Sequence, residues 1–257
     1  MTKQELQAAF TLPQFPLSAK YDAEWICENQ MGPCSLWLCE FLMEKMTLKP
    51  GMRVLDMGCG KGMTSIFLAR EYGVTVFAND LWIKPTENYR RFQEAGLEDK
   101  IFPIHAEARS LPYADEFFDA IISIDSYNYY GTDALYLDYF TKFLKRDGQI
   151  GIVVPGLTRE FDEGGAPEYM MPHWDWGMYS FHSPEWWAKL WRFSQCIEVE
   201  VSDLLPDGFD VWLHWEKLGQ TTFNKGRSAD IELMEADKGN YLTFSRTVGR
   251  KTMKRWQ

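Results

Sequence analysis

The sequence predicts an α/β fold, a doubly wound and mainly parallel sheet with helices on both faces. Three observations carry that expectation. Between residues 50 and 155, short apolar runs rich in β-branched residues alternate with segments of helical periodicity. The runs are almost continuously apolar, as strands buried on both faces are. Finally, 257 residues, 46% of them hydrophobic and 25% charged, supply one sizeable core.

The elements follow in order. Pro50-Gly51-Met52-Arg53 turns the chain into a first strand at Val54-Leu55-Asp56. A helix at residues 63–72 stops at Gly73, and Val74-Thr75-Val76-Phe77-Ala78 is a second strand that ends at Asn79-Asp80. A helix from Thr86 to Ala95 stops at Gly96; Ile101-Phe102-Pro103-Ile104 is a third strand, placed by its proline near an edge or a bulge. Residues 118–124 form a fourth strand, a helix runs from Thr132 to Lys145 and stops at Asp147-Gly148, and residues 149–154 form a fifth strand.

After Pro155 the rhythm breaks. Residues 156–182 are rich in Gly, Pro and aromatics without a period, which suits a lid over the carboxyl edge of the sheet. Ser183 and Pro184 are an N-cap and first-turn pair that open a helix. Ile197–Val201 alternates like a strand, residues 208–238 are helical, and Tyr241–Val248 is a last strand. Three stretches result: a helical segment at 1–49, a ligand-binding core at 50–155, and lid insertions with terminal strands at 156–257. Of the eleven Trp, twelve Tyr and seventeen Phe, many crowd into residues 161–215, either as walls of a ligand site or as packing under the lid.

A formal net charge of −10 disfavours a nucleic-acid partner, and the basic stretch from Arg246 to Arg255 reads as a solvated terminus. Charged residues, Gly or Pro interrupt every apolar run before the ~20 residues of a membrane span. The first residues lack the layout of a secretory signal, so a cytoplasmic protein with no membrane partner is expected. Monomer and homo-oligomer remain open. Cys27, Cys34 and Cys39 match no zinc spacing, His173, His182 and His214 are not diagnostic either, and no metal site is expected.

The chemistry concentrates in Met57-Gly58-Cys59-Gly60-Lys61-Gly62, between a strand and a helix. Such a loop suits a dinucleotide, a phosphate or a nucleoside. A dinucleotide site would place its third glycine at 63, where Met63 stands, and no Lys-Ser/Thr pair follows as in a phosphate-binding loop. Asp56 would repel a pyrophosphate and anchor a cationic amino-acid group instead. Asp80, at the tip of the second strand, is placed to accept both hydroxyls of a ribose, and Glu107 to accept from an adenine amine. An aminoacyl cation, a ribose and an adenine without phosphates describe S-adenosylmethionine.

Residues 54–62 resemble the first motif of the class I S-adenosylmethionine-dependent methyltransferases of small molecules. Asp80 resembles that family's second-strand acid, His105–Tyr113 its segment after the third strand, and Phe118–Ser123 its fourth-strand motif. The resemblance implies a seven-stranded sheet with an antiparallel last strand. It also implies that Asp56, Gly58, Cys59, Gly60, Asp80, Leu81, Glu107, Ala108 and Asp125 hold the cofactor. Met31-Gly32-Pro33-Cys34-Ser35-Leu36-Trp37 resembles the segment that folds over the cofactor in cyclopropane-fatty-acid synthases, which adds Trp37 to the set. Those lipid synthases carry a Glu after the fourth strand where this chain has Asn128.

Candidate catalytic residues are Asp125, facing the transferred methyl or the cofactor amine, Tyr127, and His173 as a base from the lid. Each also has a plain structural reading as a turn, packing or hydrogen-bonded residue. The function expected is methyl transfer to a small acceptor by in-line displacement. A sensor or scaffold without turnover, a lipid-modifying enzyme of the cyclopropane type and a nicotinamide oxidoreductase are the rivals.

Overall fold

The computed structural model describes residues 1–162, 165–222 and 229–252. Three N-terminal helices, α1 (Lys3–Phe10), α2 (Ala23–Asn29) and α3 (Ser35–Met43), precede the alternating core. That core runs β1 (Arg53–Met57), α4 (Met63–Tyr72), β2 (Thr75–Asp80), α5 (Pro85–Glu94), β3 (Ile101–His105), β4 (Phe118–Ile124), α6 (Tyr136–Thr141) and β5 (Leu144–Leu157). The remainder is α7 (Pro184–Ser194), β6 (Ile197–Leu204), α8 (Gly208–Thr221), α9 (Ala229–Asp237) and β7 (Leu242–Lys251).

The seven strands form one sheet in the order β3-β2-β1-β4-β5-β7-β6, with β7 antiparallel to its neighbours β5 and β6 and the rest parallel. Strand order reverses between β1 and β4, which opens a crevice at their carboxyl ends. Alternate residues of β1 and β4 feed two cores. Val54, Ala120 and Ile122 pack with α3, α4 and α8 on one face; Leu55 and Ile121 pack with α6 and α7 on the other. Pro103 sits on β3, the edge strand, where its missing N–H costs no ladder bond.

Local signals work as expected at several ends. Gly73 closes α4 in the left-handed region at φ 66°, and Ser183 caps α7 by accepting from the Trp186 N–H with Pro184 in the first turn. The helix expected over 132–145 is shorter and β5 is longer. Phe143 O accepts from the Phe118 N–H, so the strand already begins at Leu144, and residues 145–148 bulge out before pairing resumes at Gln149. Lys145 pairs with Asp119 and Asp147 takes a positive φ in that bulge. Asp147-Gly148 therefore turns within a strand rather than ending a helix.

The basic C-terminal stretch is also corrected in part. Arg246 and Lys251 are buried in β7. The Arg246 guanidinium donates to both Asp203 carboxylate oxygens at 2.8 and 2.7 Å and to Phe41 O at 2.6 Å, and it lies 3.7 Å from the Phe41 ring. Lys254 and Arg255 lie outside the described residues.

Candidate active site

The crevice holds a cavity of about 290 Å³, the size of a small-ligand site. Its floor is the turn from β1 into α4. Gly58 and Cys59 donate their N–H groups to Asn79 O at 2.8 and 3.1 Å, which ties the loop to β2. Gly60 N–H donates to Asp80 Oδ2 at 2.8 Å, while Asp80 Oδ1 accepts from Trp82 and Ile83 N–H at 2.7 and 2.8 Å. Asp80 thereby locks the glycine loop and the turn after β2 to each other and still borders the cavity. A Cβ on Gly58, at φ 76°, would lie 2.0 Å from Ser126 Oγ, so the first glycine is required for the loop to approach the end of β4.

Asp56 lies behind the loop, 1% exposed, and is not part of the cavity wall. Its Oδ2 accepts from Ser65 and Thr64 hydroxyls at 2.6 and 2.5 Å, which seats the start of α4. Its Oδ1 is buried without a partner among the described residues. Burial pushes the Asp56 carboxyl up to about 6; the two hydroxyls pull the other way and the Asp80 charge adds to the rise.

The cavity roof is a strap at residues 29–35 between α2 and α3. Trp215, on α8, donates its indole N–H to Gly32 O at 2.9 Å, and Lys61 donates to Glu28 O at 2.9 Å. A Cβ on Gly32 would lie 2.5 Å from Asp125 Oδ2, so the strap passes directly over that carboxylate. Asp125 follows β4 at φ 51° with its N–H donated to Val153 O at 2.8 Å. Burial pushes its carboxyl up to about 7, with the charges of Asp230 and Glu216 adding to the rise.

Of the residues singled out from sequence, Gly58, Cys59, Gly60, Asp80, Leu81, Glu107, Ala108 and Asp125 all border this one cavity. Asp56 acts from behind it. Three residues do not reach it. Trp37 is 1% exposed and stacks on Phe10 and Phe15 with its edge toward Trp215; the bulky face of α3 that carries it packs into the core. Tyr127 is fully buried among Tyr136, Phe140, Trp187 and Trp191, and burial pushes its phenol well up, so it packs beneath the site. His173 pairs with Glu232 on α9 at 3.2 Å, outside the cavity wall.

His182 stacks on Trp186 with 3.6 Å between ring centres and contacts Glu160 at 3.0 Å, and His214 contacts Ala9 O at 2.7 Å. The histidines thus serve separate elements, and no group of His, Cys, Asp or Glu fit to hold a metal exists among the described residues. The five cysteines are free. No helix among the described residues is long and apolar enough to cross a membrane.

Sequence reasoning passed over Asn79, Ser126 and Trp82, whereas Tyr129 and Tyr130, which the sequence offers either as pocket walls or as packing with Tyr127, do border the cavity. A polar Asn79 before Asp80 inside a strand was a signal, since a buried amide needs partners: its Nδ2 donates to Ala106 O at 3.0 Å. Nothing in the sequence shows that Tyr129 and Tyr130 border the cavity while Tyr127 between the same elements does not.

The residues present fit S-adenosylmethionine. An unpartnered buried Asp56 oxygen, a backbone loop with no room for Cβ at its first glycine, and a carboxylate at each of the β2 and β4 tips suit a cationic nucleoside better than a diphosphate.

Residues 36–161 match the family model described as mycolic acid cyclopropane synthetase. A methyltransferase of Streptomyces halstedii, GfsG, is 40% identical over 90 residues, 35% of this chain and 32% of that protein. The sterol 24-C-methyltransferase of Yarrowia lipolytica is 29% identical over 175 residues, 66% of this chain and 42% of that protein. The chain thus spans well under half the length of these curated relatives. Among solved structures, a putative sarcosine dimethylglycine methyltransferase from Galdieria sulphuraria superposes with a TM-score of 0.68 at 19% identity, covering 95% of this chain and 93% of that one. Geranyl diphosphate C-methyltransferase from Streptomyces coelicolor A3(2), solved with S-adenosyl-L-homocysteine, gives 0.67 at 16% identity, over 83% and 79%.

Proposed function

Because the chain belongs to the class I S-adenosylmethionine-dependent methyltransferases, we propose that it transfers a methyl group to a small-molecule acceptor bound beside Asp125. The observation that carries this reading is the junction of Gly60 N–H and Asp80 on the wall of one cavity, with the Asp56 oxygen left without a partner behind the same loop. The donor supplies a sulfonium methyl, already a strong electrophile. What the chain must do is hold, align and dry the site, and positioning of this kind is worth effective molarities of ~10⁵ M or more.

Each part has a task in that scheme. Asp80 accepts the ribose hydroxyls with the lone pairs that its backbone bonds leave over. Leu81 and Ala108 flank the adenine, and Glu107 accepts from its amine, the arrangement that the family resemblance implies. Asp56 acts through water on the amino-acid end. The strap, tied down by Trp215, keeps bulk solvent from the reacting atoms.

Calorimetric titration of the full chain with S-adenosylmethionine tests the reading, with Asp80→Ala as the diagnostic variant. Micromolar-range binding that weakens at least 100-fold in Asp80→Ala supports it; equal affinity in the two proteins overturns the ribose assignment. Release of S-adenosylhomocysteine in a metabolite extract separates an enzyme from a scaffold that only binds.

A further inference from the structure

At the acceptor end of the cavity, one carboxylate stands without a counter-charge. Asp125 borders the cavity, and no hydrogen bond or cation reaches its side chain among the described residues. The two cations on the cavity wall are engaged elsewhere: Lys61 with Glu28 O and Arg109 with Glu107. The charges of Asp230 on α9 and Glu216 on α8 add to the rise that burial gives the Asp125 carboxyl. Asp230 is itself pushed up by burial and by Asp175, whose carboxylate accepts from the Gly177 N–H at 2.7 Å. Two aromatic residues, Tyr129 and Tyr130, share the wall with Asp125. Tyr129 borders the cavity, and its ring meets that of Trp176, which is 80% exposed, with centroids 6.4 Å apart.

On the methyl-transfer reading above, we propose that this end is an ammonium subsite, formed by Asp125 with the ring of Tyr129 and reinforced by the charge of Asp230, and that the acceptor is a small amine methylated on nitrogen. A partly buried carboxylate without a cation bears a desolvation cost that a ligand ammonium removes, and aromatic faces attract the same charge. An alcohol or thiol of the same shape would leave the charge uncompensated, and an anionic acceptor would be repelled. Asp125 also has a task in the step. It takes one proton from the bound ammonium. The freed lone pair forms a bond to the donor methyl carbon, and the carbon–sulfur bond breaks with its electron pair on sulfur. The product leaves as the methylated ammonium, and Asp125 returns its proton to water. Its position near neutrality, at about 7, suits both halves of that exchange.

The donor's own amino-acid end carries the same ammonium chemistry, so the experiment must tell the two apart. The full chain, saturated with S-adenosylhomocysteine, is titrated with tetramethylammonium and benzyltrimethylammonium and with tert-butylbenzene, the uncharged isostere of the latter. We expect the ammonium to bind at least tenfold tighter than its isostere, that preference to vanish in Asp125→Asn and to shrink about threefold in Asp230→Asn, and S-adenosylmethionine affinity to fall less than tenfold in Asp125→Asn and to stay within twofold in Asp230→Asn. A labelled-methyl assay on an amine, an alcohol and a thiol of one carbon skeleton should place the label on the amine. Equal binding of ammonium and isostere, or label on oxygen or sulfur, overturns the proposal. So does a tenfold loss of S-adenosylmethionine affinity in Asp125→Asn with ammonium binding intact, because the carboxylate then serves the donor. If the unaltered protein does not bind S-adenosylmethionine at all, the methyl-transfer reading itself fails; if it binds the donor and shows no ammonium preference, only the acceptor assignment falls.

Discussion

The glycine-loop half of the cavity and the aromatic half of the molecule are built on opposite principles. From β1 to the β2 tip, almost every polar group has a backbone partner at a fixed spacing: Asn79 O holds two loop N–H groups, and Asp80 holds three more. In the aromatic half, side chains act as volume. Trp187 and Trp212 are buried with indole N–H groups that have no partner among the described residues, and Trp174 beside Phe161 and Phe181 is the same. Forgoing such a bond costs roughly 1–3 kcal/mol each, which the large apolar area of an indole outweighs. One half is therefore intolerant of any atom added or moved, and the other tolerates change if volume is kept.

Gly58→Ala should break that contrast most severely. The new Cβ would sit 2.0 Å from Ser126 Oγ at a backbone angle that favours glycine, so the loop must leave β4. Loss of S-adenosylmethionine affinity on the order of 100-fold is expected, with a destabilisation of ~2–3 kcal/mol. Adding Ser126→Gly, which removes the clashing atoms, should restore part of both. If Gly58→Ala alone binds normally, the close approach of the loop to β4 is not what the glycine is for.

Asp56 supplies the next effect, and it is one of pH. Its carboxyl is raised on folding from the ordinary aspartate range to about 6. The folded state therefore holds the proton more tightly than the unfolded state, and the stability this contributes is full below pH 4 and lost as pH rises through 6. Asp56→Asn removes the charge, so its stability relative to the unaltered protein should improve by about 1–3 kcal/mol between pH 4 and 7. Urea midpoints across that range measure it. A difference that does not change with pH would mean that the carboxylate is better solvated than its burial implies.

How much of this was legible in the sequence follows from the same contrast. Where a backbone group must be met by one atom at one spacing, a single chain records it: Gly58, Gly60, Asp80, Glu107 and Asp125 converge on one cavity. Where the requirement is only for volume, the chain does not say which aromatic goes where. Tyr127 and Tyr129 are two residues apart on one short helical turn (Tyr127–Tyr129), yet one is sealed under Trp187 and the other borders the cavity. Trp37 is in the segment that roofs the site and still points inward, because Gly32 and Pro33 form the roof and α3 carries Trp37 into the core. The early start of β5 at Leu144 depends on pairing with Phe118, a contact between residues far apart that periodicity cannot record.

Trp215 joins the two halves, since its ring packs against Trp37 while its N–H holds the strap at Gly32. Trp215→Phe keeps most of the volume and deletes that hydrogen bond, worth about 1 kcal/mol. S-adenosylmethionine affinity should fall roughly fivefold, with dissociation faster and the melting temperature lower by only a few degrees. Stopped-flow release of the bound ligand separates this from a general loss of stability: an unchanged off-rate would mean that α8 does not restrain the strap.

His173 should give the smallest effect and the clearest statement of what the aromatic half does. A histidine in a lid invites a catalytic role, yet this one meets Glu232 at 3.2 Å and stands outside the cavity wall. The pair is a quarter to a third exposed, a setting in which ion pairs contribute about 0.2–1 kcal/mol. His173→Gln keeps a hydrogen-bonding group there, so the melting temperature should shift by no more than a few degrees and kcat with any accepted substrate should stay within twofold across pH 6–8. A base would behave differently. If His173 removed the acceptor's proton, kcat would fall by a factor of 10² or more and the acidic limb of the pH profile would disappear in the variant, which would move proton transfer from the end of β4 to the lid.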